Sequence, residues 1–303
     1  MNNEHFEISR HTLELISLES PFLKVAVAPG VGGRIVSLVD KATGHEFLWR
    51  NAALKLERLP PGSEYDPNFY GGIDELLPND IPETIHGVQC PDHGELWTAG
   101  LAWEAREDQL VLRGALPLFG LTYERTLRLR PDAPVLELAY RIANPTPEPR
   151  TFLWKLHAAL ALQPGDVIEC PARQARVADP AWSRFKSVKP FAWPVLEGQA
   201  VNVAPPPEGA MDFFYLYQLE AGRMAWRRPG AGLRFGYEFD TRVFPFAWLF
   251  ASYGGFNGHY TAILEPCTTM PISVNEAAAL NQCARLAPGA ALQTQVTIHA
   301  GKF

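Results

Sequence analysis

The chain holds only four cysteines in 303 residues, at positions 90, 170, 267 and 283, and no two form a CxxC pair. That spacing argues against a cysteine-ligated structural zinc and offers no disulfide framework, so four reduced thiols, mostly buried, are expected. Basic charge is also scarce: 27 Lys and Arg stand against 33 Asp and Glu, a net charge of −6. Surfaces that track nucleic acid or anionic lipid need the opposite balance, and neither nucleic acid nor membrane is an expected partner. No apolar run approaches the roughly 20 residues of a membrane span. The opening MNNEHFEISRH lacks the apolar stretch of an export signal, which leads to an expectation of a cytoplasmic protein. The P-loop, the GxGxxG dinucleotide fingerprint and HExxH are all missing, and no cofactor or metal is expected. There is no evident internal repeat and little sign of amphipathic helices.

What the chain does contain is strand-like alternation punctuated by turn residues. Leu23, Val25 and Val27 share one face of a short run; Pro29, Gly30, Gly32 and Gly33 then break the chain before Ile35, Val36 and Leu38 resume it. The clearest hairpin runs from Leu121 to Asn144. Leucines alternate with Arg128 and Arg130, PDAP turns the chain, and Leu136, Leu138, Tyr140 and Ile142 return on one face. Gln293 to Ala300 alternates in the same way after Pro288 and Gly289. With 27 prolines and 24 glycines spread mostly between such runs, the pattern predicts an all-β, many-stranded sheet protein rather than a βαβ repeat. Leu59–Asn68 and Val203–Gly209 carry the strongest loop signals. No composition shift marks a boundary, so residues 1–303 read as one domain.

Two segments each set a titratable side chain in apolar surroundings: WKLHAAL with His157, and AILEPCTTMP with Glu265. A carboxylate with an ordinary pKa near ~4.3 can act as a base at neutral pH, and a histidine near ~6.5 can be charged by acidic neighbours. Each residue also has a structural reading. A lone histidine on an apolar strand is often a satisfied core residue, and a Glu before Pro is often a strand end. The two must also share a face, which a one-residue slip in register would prevent.

PGVGGRIVSLVDKATGHEFLW, PDHGELW, WKLHAAL, AILEPCTTMP and LAPGAALQTQVTI occur in an order and spacing that resemble aldose 1-epimerases of the galactose mutarotase-like superfamily. The resemblance spans nearly the whole chain. It implies an antiparallel β-supersandwich whose concave face holds a small-molecule sugar, with His157 as acid and Glu265 as base. It further implies sugar-holding roles for His93 and Asp212, and places Arg34, Asp74 and Asp80 in loop-like segments near the rim of the cleft. Trp154, Trp97 and Trp248 are candidates for stacking on a sugar ring, or for core. His86, in TIHGV, rivals His93.

The chain departs from the family pattern where His157 is followed by Ala158, Ala159 and Leu160 instead of a bulky aromatic segment, which implies a differently shaped pocket. After HGELW the nearest basic residue is Arg106. A sugar phosphate is therefore not favoured, unless Arg34 or Arg173 supplies the charge. Three classes of function follow: a mutarotase for a free aldose, a non-catalytic sugar binder or sensor on the same fold, and a glycoside hydrolase pairing Glu265 with Asp212 or Asp80.

Overall fold

A computed structural model describes residues 6–11 and 13–302, with side chains from residue 13 onward; the first residues of MNNEHFEISRH lie outside the described set. The chain folds as an antiparallel β-supersandwich, as the alternation and the resemblance predicted. One sheet of 12 strands runs in spatial order from Phe6–His11 through Leu13–Glu19, Leu23–Ala28, Arg34–Asp40 and Ile73–Leu76. It continues through Lys155–Ala161, Tyr260–Cys267, Phe246–Tyr253, Ala210–Leu219 and Ala172–Val177 to Phe191–Ala192, and His45–Glu46 pairs onto Arg34–Asp40 off this path. A second sheet of eight strands packs against it, ordered Val167–Glu169, Arg223–Arg228, Leu233–Phe239, Ala291–Lys302, Val135–Ala143, Leu121–Leu129, Gln109–Leu116 and Ala102–Arg106.

The anticipated hairpin is present in register: Leu127 faces Leu138 and Leu129 faces Leu136 across Leu121–Leu129 and Val135–Ala143. Leu127, Leu136, Leu138, Tyr140 and Ile142 are buried, whereas Arg128 points out. Leu23, Val25 and Val27 are likewise fully buried on one face of their strand. Among the described residues no helix is long and apolar enough to cross a membrane. The four cysteines are free thiols, three of them buried.

Strand periodicity explains how this sandwich builds a site on the face of the 12-stranded sheet turned away from the core. Side chains alternate between the two faces of a strand. In Lys155–Ala161, Leu156, Ala158 and Leu160 join the main core between the sheets, and Lys155, His157 and Ala159 take the opposite face. Of the three residues after His157, only Ala159 borders the site side, where it joins a satellite cluster with Tyr65, Phe69, Trp97, Phe256 and Ile263. In Ala210–Leu219 all four of Phe213, Phe214, Tyr215 and Leu216 are buried, and of these the alternate residues Phe213 and Tyr215 border the site.

Candidate active site

Register brings His157 and Glu265 together. Lys155 pairs with Cys267 and Ala158 with Leu264, equal steps on both strands, so His157 falls opposite Glu265. Cross-strand partners project from the same face of the sheet, and both side chains line one cavity of about 420 Å³. The neighbouring strands extend the row: Asp74 pairs with His157 on one side and Trp248 with Glu265 on the other.

Asp74 sets the orientation of the histidine. Its Oδ1 lies 2.9 Å from His157 Nδ1, and its Oδ2 accepts a 2.8 Å hydrogen bond from the Tyr65 hydroxyl and a 2.7 Å salt bridge from Arg34. The Tyr65 oxygen is also 3.3 Å from His157 Nδ1. Burial, followed by the neighbouring Asp74 charge, pushes the Tyr65 phenol well above its ordinary range, so it stays a donor. With Nδ1 engaged by Asp74, Nε2 is the nitrogen left to the cavity, the arrangement a proton-transfer histidine needs.

Burial alone would raise the Asp74 pKa, but Arg34, His157 and hydrogen bonds from His157 and Tyr65 outweigh it and lower it to about 2 from 3.8. A depressed carboxylate contributes stability that is complete above its unfolded value and lost as pH falls through its folded value. Asp74 is therefore expected to contribute on the order of 2 kcal/mol that disappears between about pH 4 and pH 2. Acid titration of unfolding free energy should show a shallower loss over that window in Asp74→Asn; identical slopes would contradict the assignment.

The resemblance did not single out Lys155, which sits beside the proposed base. Its Nζ lies 2.5 Å from Glu265 Oε2 in a charge-to-charge contact, 3.3 Å from Asp80 Oδ2, and 4.5 Å over the Trp248 ring. Burial works against its charge, but Asp80 and Glu265 more than offset it and raise the pKa, so Lys155 remains an ammonium. The clamp on Oε2 leaves Oε1 of Glu265 for a ligand. A signal for Lys155 was present: it precedes His157 by two residues, which in a strand means the same face.

His93 lies in the cavity wall, between Asp80 Oδ1 at 3.3 Å and Asp92 Oδ1 at 2.8 Å, and stacks on Tyr65 with centroids 4.0 Å apart. Burial opposes its charged form, yet Asp80 and the Asp92 hydrogen bond prevail and raise its pKa. The turn that presents it has left-handed backbone at both His93 (φ 56°) and Gly94 (φ 76°). A side chain at Gly94 would run into the Leu77 carbonyl oxygen. Tyr65, in a segment that reads only as loop, carried no sequence signal. Trp182, Phe213, Tyr215, Phe250 and Phe256 supply the aromatic walls.

Several expected sugar contacts are corrected. Trp154 is fully buried and donates from Nε1 to Glu75 Oε2 at 3.0 Å, because its parity puts it with Leu156 on the core side. Trp248 lies buried beneath Lys155, and Trp97 is buried against Tyr65. Asp212 is fully buried and does not line the cavity. Its carboxylate holds Arg184 at 2.6 Å and Ser183 at 3.1 Å, and so anchors the segment that carries Trp182. Arg34 and Asp74 are not in rim loops; they lie on strands, both buried, and do not line the cavity. Asp80 does line it. His86 bonds Thr151 Oγ1 at 2.8 Å outside the cavity. Arg173 is exposed and paired with Glu220.

Comparison with known proteins supports the fold. A family model described as a domain of unknown function (DUF5107) matches residues 4–79, a stretch that includes Arg34, Tyr65 and Asp74. A protein from Escherichia coli K12, provisionally assigned as an aldose 1-epimerase, superposes with a TM-score of 0.73 at 17% identity, over 98% of this chain and 100% of its own. A second such protein, from Klebsiella pneumoniae, gives 0.75 at 14% identity over 96% of this chain and 81% of its own. A galactose mutarotase-like protein from Clostridium acetobutylicum gives 0.72 at 15% identity over 98% of both chains. The fold is galactose mutarotase-like. At such identities the likeness speaks for architecture, and the chemistry must be argued from the side chains.

Proposed function

We propose that this protein is an aldose 1-epimerase that interconverts the α and β anomers of a free aldose. The observation that carries the reading is the cross-strand placement of His157 and Glu265 on one face, both lining an aromatic-walled cavity of about 420 Å³. Opening a cyclic hemiacetal needs a base for the anomeric hydroxyl proton and an acid for the ring oxygen. Glu265 Oε1 takes the first proton. His157, backed by Asp74, delivers the second from Nε2 as the C1–O5 bond breaks. Rotation about C1–C2 presents the other face of the aldehyde, and the two transfers reverse, restoring both groups.

The charges around the cavity support an unphosphorylated substrate. Lys155 is held by Asp80 and Glu265, and His93 by Asp80 and Asp92, so each cation is already compensated. Neither Arg34 nor Arg173 lines the cavity. A glycoside hydrolase is less well supported, since Asp212 is turned away and Asp80 is committed to Lys155 and His93.

Magnetisation exchange between anomeric protons across a panel of free aldoses tests the proposal. At least one sugar is expected to exchange faster with protein, and His157→Asn is expected to slow that exchange by about 10²-fold or more. Line broadening from binding with no acceleration for any sugar would favour the sensor reading.

A further inference from the structure

A second cavity, of about 520 Å³, shares no lining residue with the first. It lies on the outer face of the eight-stranded sheet near its Val167–Glu169 edge, and its charged lining is Arg223, Arg227, Arg234 and Glu169. Arg227 stands directly opposite Arg234 across the two strands, a like-charge pairing that costs stability unless an anion compensates it. Glu169 answers Arg227 at 2.9 Å. Arg223 and Arg234 have no carboxylate within 4.0 Å among the described residues; Glu238, across from Arg223, turns to His299 at 3.3 Å. Arg234 Nε is buried without a hydrogen-bond partner.

The floor between these guanidinium groups is Ala225 paired with Gly236. A Cβ at Gly236 would meet Ala225 Cβ at 3.2 Å and Arg234 Nε at 3.6 Å, so the missing side chain leaves an opening beside the arginines. Trp193 and Pro194 form the facing wall, and Asn202 lies on the rim. Three guanidinium groups less one carboxylate leave a local charge of +2 in a chain of net charge −6.

We propose that this cavity binds the phosphate of a small phosphate monoester, with the ester's ring against Trp193. A phosphate dianion matches the uncompensated charge, and guanidinium groups hold its oxygens in bidentate fashion. A carboxylate monoanion would leave half the charge unmet, and the cavity is far larger than phosphate alone requires. The site is separate from the acid and base above and does not rest on their assignment.

The test is isothermal titration of the full chain with AMP, which has no free anomeric centre, with inorganic phosphate and acetate alongside. Saturable AMP binding is expected, with acetate much weaker. In Arg223→Ala/Arg234→Ala the affinity should fall at least about tenfold, in keeping with lost charge-assisted hydrogen bonds. Arg223→Lys/Arg234→Lys keeps both charges; it should also bind several-fold more weakly and serves if the alanine variant does not fold. No saturable binding of AMP or phosphate, equal binding by the variants, or acetate binding as well as phosphate would overturn the proposal.

Discussion

Glu265→Gln is expected to slow anomer exchange by about 10²–10⁴-fold, the usual loss when a positioned proton-transfer group is removed. The amide is nearly isosteric, so the substitution removes the base and leaves the strand in place. Lys155 loses its closest partner but keeps Asp80 at 3.3 Å and the Trp248 face at 4.5 Å, which limits the structural cost. The measurement is the exchange rate at saturating sugar, beside the dissociation constant from line broadening. Loss of rate with little change in affinity marks a group that acts mainly in the transition state. A variant within about twofold of the parent would exclude Glu265 as the base. His157 and Glu265 act in one concerted sequence, so the double variant is expected to lose little beyond the worse single one.

The largest expected effect on stability lies between the sheets. Glu75, fully buried, accepts from Arg125 at 2.7 Å and Tyr140 at 3.0 Å on Oε1, and from Tyr123 at 2.9 Å and Trp154 at 3.0 Å on Oε2. Arg125, also buried, donates its remaining terminal nitrogen to the Gly33 carbonyl oxygen. Arg125→Met would leave a carboxylate in the core with three neutral donors and no countercharge, a change that typically costs about 3–5 kcal/mol. Urea unfolding should register that loss. The Glu75→Gln/Arg125→Met pair is expected to be less damaging than Arg125→Met alone, because the uncompensated charge is gone. Equal losses in the two variants would rule out buried charge as the cause.

This network also shows why some residues misled. Trp154 looks like a platform for a sugar because it adjoins WKLHAAL, yet one residue of parity sends it into the core as a donor to Glu75. Asp212 fails for the same reason: Phe213 and Tyr215 line the cavity, and Asp212, one position before Phe213, has the opposite parity and does not. His157, Glu265, His93 and Asp80 were legible as residues that line the cavity, because each belongs to a local pattern that the fold carries intact. Tyr65 was not, since its role depends on where a long loop lands across from Asp74 and His93.

By itself the sequence determined the all-β class, the strand and turn punctuation, the core faces of the hairpin, and the pairing of one histidine with one glutamate as the chemistry to test. Those follow from local periodicity and from side-chain types, which are properties of short segments. Tertiary structure alone decided that His157 and Glu265 stand opposite each other, that Lys155 clamps the glutamate, and that Asp74 and Tyr65 orient the histidine. It also decided that three arginines from two neighbouring strands gather in one opening. Strand register brings Lys155 and Cys267, 112 positions apart, into one pair and His157 with Glu265 beside them, and the electrostatics of a site depends on such distances, which local pattern does not encode.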